Sequence, residues 1–194
     1  WAVMSIVLQA TTGRVDESLT KNMLLPLAER MIAKMAKEKK MEQEQETHLY
    51  LMVLELQKKF QEALNILDGP VGKQLEDKTS YWELCNTKKI DYLKKLQKWE
   101  QVNSLAKDVL QQNPDQWSLY LDYITSVFHI IDDNIENKGE VNDETVDKGI
   151  EDAVSFITFQ QDHHTKCRAP FLAQMELQSR LIARRDPTVD EKDM

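Results

Sequence analysis

The ten residues 58–67, KKFQEALNIL, recur in altered form at 98–114 as KWEQVNSLAKDVLQQNP. In each copy an aromatic residue, Phe60 or Trp99, is followed three positions on by a small or β-branched residue, Ala63 or Val102. Four positions further comes another apolar residue, Leu67 or Ala106. Steps of three and four place these side chains on one helix face. An aromatic at the head of that face marks a helix returning from a turn, so each copy reads as the second helix of a helical hairpin. Repetition of such a unit describes a solenoid, in which each hairpin buries its faces against its neighbours.

The second copy continues with Val109 and ends at Pro114, the spacing at which tetratricopeptide helices stop. The aromatic markers stand 39 residues apart, against a regular period of about 34, and the interval GPVGKQLEDK at 69–78 accounts for the excess. Only five Gly and five Pro occur in 194 residues, which favours long helices over strands. The expected fold is all-α, a tetratricopeptide-like helical-hairpin solenoid or α-α superhelix.

Along the chain, residues 1–41 read as the end helices of a preceding hairpin. Segment 1–11 is apolar nearly all round, as a helix between neighbours requires. Gly13 and Asp16 break it, and Leu24, Leu27, Ala28, Met31 and Met35 form the stripe of the next helix. Pro26 suits a first turn or a kink, and Lys37, Lys39 and Lys40 suit a helix C-terminus. Residues 42–114 read as two hairpins, with Thr47, Tyr50, Leu51 and Leu54 on one inward stripe and Ile90 and Leu93 on another.

At 113–115, Asn-Pro-Asp is expected to stop one helix and cap the next. Residues 115–162 form a third hairpin. Its first helix carries Trp117, Tyr120, Leu121, Ile124, Phe128 and Ile131, and its second Val146, Ile150, Ala153, Val154 and Ile157, with a mobile acidic loop over 132–144 between them. Residues 163–194 hold a final helix that places Leu172, Met175 and Ile182 together, then a polar tail. The whole is expected to be one continuous solenoid segment, cut at both ends from a longer protein because Trp1 is no initiator.

Few of these residues point to chemistry of their own. His163, His164 and Cys167 are the one close cluster of ligand types, and a zinc site needs about four such ligands. Glu42, Glu44, Glu46, Asp132 and Asp133 fall on charged turns, where solvation explains them. Gly69 and Gly72 flank Pro70 without a preceding strand, so no nucleotide fingerprint is present, and no nucleophile-elbow sequence occurs. Neither a catalytic, a cofactor nor a metal site is expected. A formal net charge of −8 argues against nucleic-acid binding, which needs clustered Lys and Arg. The apolar start lacks the length to span a bilayer, so no membrane binding is expected. Cys85 and Cys167, far apart and outside any CxxC pair, fit a reducing compartment.

Several strings carry a more specific signal. WAVMSI, NMLLPLAERMIAKMAKE, KKFQEALNIL, the W-x-x-V-N-S-L helix at 99–105, DQWSLYLDYITSVF and RAPFLAQMEL together resemble the auxiliary subunit of the NatB N-terminal acetyltransferase, in order and across essentially the whole chain. The resemblance implies a non-catalytic, cytoplasmic helical-repeat subunit that wraps a small catalytic subunit. That partner would hold acetyl-CoA and acetylate nascent chains beginning Met-Asp, Met-Glu, Met-Asn or Met-Gln. Ribosome contact is expected through other regions of the full-length protein.

Two other readings share the fold. A co-chaperone type peptide adaptor would need Lys, Arg and Asn on its groove faces to hold a carboxylate, whereas the first helix of the third hairpin offers Ser118 and Asp122. The auxiliary subunit of the related NatA complex would change the substrate class, and the blocks LPLAERM and RAPFLAQM argue for NatB. Solenoid curvature makes first helices line a concave face, so Trp117, Ser118, Tyr120 and Asp122 are the expected partner groove. Phe60, Ala63, Leu67, Trp99, Val102, Ala106 and Pro114 are the structural repeat positions.

Overall fold

A chain so poor in helix breakers has no reason to leave the helical state except at its turns, and the computed structural model follows that rule. It describes residues 2–11, 23–38, 42–76, 79–138 and 143–185. Every regular element among them is helical: α1 (Ala2–Thr11), α2 (Leu25–Lys37), α3 (Gln43–Leu56), α4 (Phe60–Asp68), α5 (Pro70–Glu76), α6 (Thr79–Lys95), α7 (Trp99–Gln112), α8 (Trp117–Lys138), α9 (Asp143–His163) and α10 (Ala169–Arg185). The expected break at Gly13 and Asp16, the lysines at 39 and 40, and the tail from 186 lie outside the described residues. Packing divides the chain into two units, Trp1–Leu96 and Gln97–Met194, so the boundary falls within the 42–114 stretch expected to hold two hairpins.

In the first unit, α1, α2 and α3 bury Val3, Val7, Leu25, Ala28, Ile32 and Val53 against one another. Pro26 sits in the first turn of α2, where its missing N–H costs nothing. The stripe expected on this helix is corrected by about one residue. Leu25, Ala28 and Ile32 face the core, while Leu27 is exposed and Met31 and Met35 are half-buried. Branched and small side chains fit the narrow space between helices, and the flexible methionines cover its rim.

The turn between α3 and α4 takes Lys58 into the left-handed region at φ 58°, and Gln97 adopts φ 57° two residues before Trp99 as Lys58 does before Phe60. The two sequence copies thus share a backbone device as well as a face. Ala63 and Leu67 of α4 are buried, with Leu64 beside them. The Phe60 ring lies 6.1 Å from that of Tyr92, and the Lys95 ammonium stands 5.0 Å from the Phe60 centroid. The interval 69–78, expected as a long turn, folds into the short helix α5, which packs on both α4 and α6.

A polar cluster ties α3 to α6. Lys88 Nζ and the Tyr92 hydroxyl both donate to Glu55 Oε1 at 2.5 Å, charge-assisted bonds of the stronger kind. Tyr92 is itself 1% exposed. Tyr92→Phe should therefore lower stability by about 1.5–2 kcal/mol, read as a shifted urea midpoint with an unchanged slope. An unchanged midpoint would show that the bond contributes nothing.

In the second unit α7 lies along α8, and α10 packs on both α8 and α9. The core takes Val102, Ala106, Val109 and Leu110 from α7, with Leu119, Tyr120, Tyr123, Ile124, Val127 and Ile131 from α8. Ala153 and Ile157 of α9 and Ala169, Ala173 and Leu177 of α10 complete it. Two expectations are corrected here. The acidic loop expected over 132–144 is helical through Lys138, and α9 resumes at Asp143. Ile135 stays half-buried beyond the expected helix end, so the apolar stripe outruns the acidic composition. Asp132 of α8 is paired with Arg184 of α10, whose Nη2 donates to Oδ1 at 2.6 Å.

The second correction concerns α10. Phe171, Leu172, Met175 and Ile182 are exposed, Met175 by 67% and Ile182 by 60%. The helix carries two apolar stripes, and the one built from Ala169, Ala173 and Leu177 enters the core because small side chains let helices approach closely. Gln161 fixes the helix start, its Nε2 donating to the Pro170 carbonyl at 3.1 Å and to Gln174 Oε1 at 2.6 Å.

Candidate partner-binding surface

The four residues expected to line a groove do not share one surface. Trp117 and Ser118 are exposed and Asp122 is half-buried, but Tyr120 is wholly inside the core. Tyr120 therefore offers no contact area, and its hydroxyl has no hydrogen-bond partner among the described residues. Burial, with smaller contributions from Cys167 and Asp115, holds that phenol above its ordinary range.

Of the repeat positions in this unit, Val102 and Ala106 are fully buried. Trp99 is half-buried, stacked on His129 with ring centroids 3.9 Å apart and planes 7° from parallel. Pro114 occupies the turn between α7 and α8. Its neighbour Asp115, expected to cap the helix that follows it, caps a different one. Asp115 Oδ1 accepts hydrogen bonds from the backbone N–H groups of Arg168 and Ala169, both at 3.0 Å, at the start of α10. Sequence proximity hides this role because the helix it serves begins more than fifty residues later.

Asp115→Ala should cost about 1–2 kcal/mol, as loss of a good cap does, with faster amide exchange in the first turn of α10. Asp115→Asn should keep most of the stability, since its carboxamide oxygen still accepts. Equal loss in both variants would count against capping.

Between α7, α8 and α9 lies a cavity of about 260 Å3, with Asn103, Lys107, Tyr123, Asn134, Lys148 and Asp152 among its lining residues. A second hollow of about 330 Å3 opens beside Trp99, with Lys98 and Asp133 at its edge. In the first unit, Ile32, Ala33, Tyr50, Ile66 and Val71 line a mainly apolar groove of about 520 Å3, flanked by Glu29, Arg30 and Glu46.

His163 has ordinary partners: its Nδ1 lies 2.9 Å from the Phe159 carbonyl and its ring stacks on Phe159 at 3.9 Å. Among the described residues no three His, Cys, Asp or Glu side chains converge as a metal site requires. None of these helices is long and apolar enough to cross a membrane. What the surfaces offer is polar and apolar contact.

Comparison with known proteins matches residues 1–110 to the family described as Psidin, N-terminal TPR repeats region. Residues 117–194 match the N-acetyltransferase B complex (NatB) non catalytic subunit. The chain is 40% identical over 191 residues to N-alpha-acetyltransferase 25, NatB auxiliary subunit, of Rattus norvegicus, covering 93% of this chain and 19% of that protein. It is 40% identical over 178 residues to the Phagocyte signaling-impaired protein of Aedes aegypti, covering 91% and 18%. A more distant relative is the N-terminal acetyltransferase B complex auxiliary subunit of Arabidopsis thaliana, 26% identical over 197 residues, covering 93% and 18%. The chain thus spans about a fifth of the length of the curated relatives it matches. From Trp117 onward the chain is similar to the NatB non catalytic subunit, and, matched over more than half of its length, it belongs to the family described as Psidin, N-terminal TPR repeats region.

Proposed function

We propose that this chain serves as part of a scaffold subunit that binds and positions the catalytic subunit of a NatB-type N-terminal acetyltransferase. The observation that carries the reading is the match of residues 117–194 to the NatB non catalytic subunit, following a match of residues 1–110 to a tetratricopeptide repeat region. Helical hairpins suit the role: a repeated unit presents an extended surface without needing a reactive centre. Acetyl-CoA and the transfer step belong to the catalytic partner, and the substrates are nascent chains beginning Met-Asp, Met-Glu, Met-Asn or Met-Gln. The protein works in the cytoplasm, with ribosome contacts made by other regions of the full-length protein. The chain itself binds neither nucleic acid nor membrane.

The test is co-expression of the full-length protein carrying this chain with the NatB catalytic subunit, followed by copurification and acetyl-transfer assays on Met-Asp and Ser-Ala peptides. Stable copurification with activity on Met-Asp alone is expected, and deletion of residues 1–194 should weaken the complex. Absence of a complex, or activity on Ser-Ala instead, would overturn the reading.

A further inference from the structure

The cavity between α7, α8 and α9 combines features that the scaffold role leaves unused. Lys107 of α7 is half-buried, its ammonium 5.5 Å from the Tyr123 ring centroid and 5.7 Å from that of Phe156. Those rings hold the charge in place by cation-π attraction. Lys148 of α9 lines the same cavity. Neither ammonium takes part in an ion pair among the described residues. Asn103 and Asn134 add carboxamides, and Asn103 spends one N–H on Ser126 Oγ at 3.1 Å.

A second observation is independent of these charges. Tyr123 forms part of the cavity wall at 0% exposure, and its hydroxyl has no hydrogen-bond partner among the described residues. A buried orphan hydroxyl costs about 1–3 kcal/mol unless something satisfies it. The donors that open on this space are thus two ammonium groups and two carboxamides, against one carboxylate, Asp152, on the exposed side of α9.

From this set we propose that the cavity receives a carboxylate of a polypeptide partner, an Asp or Glu side chain or a C-terminal carboxylate. Its volume lies just below the range of small-molecule sites and matches a single inserted side chain. Two lysines and two carboxamides match the acceptor-only oxygens of a carboxylate. Asp152 opposes the ligand and tunes its affinity downward. The chemistry is the one expected of a carboxylate-holding groove, assembled from α7, α8 and α9 and not from the Ser118/Asp122 face. The proposal stands apart from the scaffold reading, since it rests on this cavity alone.

The experiment uses the intact protein carrying this chain and a fluorescent random-sequence peptide pool with two fixed glutamates and a free C-terminus. Control pools carry glutamine in their place, an amidated terminus, or both. Binding is read by anisotropy, and the contact by zero-length carbodiimide coupling of lysine amines to peptide carboxylates, mapped by mass spectrometry. The acidic pool should bind and couple at Lys107 or Lys148. Lys107→Gln and Lys148→Gln should each weaken binding roughly tenfold or more, and Asp152→Asn should tighten it. The amidated pool separates a terminal carboxylate from side-chain ones. Equal binding of the pool lacking every carboxylate, indifference to both lysine substitutions, or coupling only at other lysines would overturn the proposal. Complete displacement by inorganic phosphate would also overturn it, by showing a general anion site. Coupling on the unsubstituted protein keeps the test decisive if a variant misfolds.

Discussion

Raising the pH above about 10, where a tyrosine in an unfolded chain ionises, should unfold this protein over a narrow range. Tyr92, Tyr120 and Tyr123 are all held above the ordinary phenol range, chiefly by burial. The hydrogen bond to Glu55 adds to the effect at Tyr92, and the nearby Asp152 carboxylate adds to it at Tyr123. The sign follows from proton counting. Below the unfolded value both states keep the proton and the stabilisation is complete. Above it the unfolded chain binds fewer protons than the folded one, so stability falls as pH rises.

Each such tyrosine contributes a loss of about 1.4 kcal/mol per pH unit, so the three together remove roughly 4 kcal/mol per unit once the pH is well above their unfolded value. Marginal stabilities of about 5–15 kcal/mol cannot survive much of that slope. Tyrosinate absorbance and helical circular dichroism should change together in an alkaline titration. Two of the three phenols lie in the second unit, which should lose stability about twice as steeply as the first. Tyr120→Phe and Tyr123→Phe should flatten the alkaline limb at little cost near neutrality, because neither hydroxyl has a partner to lose among the described residues. Ionisation of all tyrosines at the ordinary phenol value with the helices intact would refute the argument.

Gly72→Ala should be the most damaging conservative substitution in the first unit. A Cβ at residue 72 would stand 1.9 Å from the Leu67 carbonyl oxygen, 2.3 Å from its carbonyl carbon and 2.5 Å from its Cα. These are backbone atoms of α4, so no rotamer change relieves the clash. Either α5 moves away from the end of α4 or α4 loses its last turn. Both responses disturb Leu67 and Leu75, which are buried. Overpacking that side chains can absorb costs about 1–3 kcal/mol, and a backbone clash should reach the upper end or beyond. For a chain of this length that corresponds to a fall of about 6–12 °C in melting temperature. Amide exchange should accelerate in α5 and α6 first. A variant that melts with the parent protein would show that the turn at Gly69 shifts freely.

The value of Gly72 was hidden in the sequence, where it stands in a glycine- and proline-bearing interval that invites a loop assignment. Its φ is ordinary; what demands glycine is the approach of another segment's backbone, and approach is a tertiary fact. Lys58 and Gln97 show the converse. Both hold left-handed backbone although neither is the glycine that normally signals it, because the closing turn of each copy imposes the conformation.

Apolar spacing alone determined that this chain is helical, where most helices lie, and that 58–67 and 98–114 are copies of one returning element. Helix formation depends on local hydrogen bonds and on residues three and four apart, and those are written along the chain. Which face enters the core was decided by packing. In α10 the stripe of Phe171, Met175 and Ile182 dominates the sequence pattern, yet the stripe of Ala169, Ala173 and Leu177 is buried, because the two alanines let neighbouring helices approach closely there. Asp115 caps a helix far from it in sequence, and Lys107, Tyr123 and Lys148 surround one cavity from three helices. Such meetings depend on how helices dock, and docking is set by the shapes of whole faces, which residue spacing does not encode.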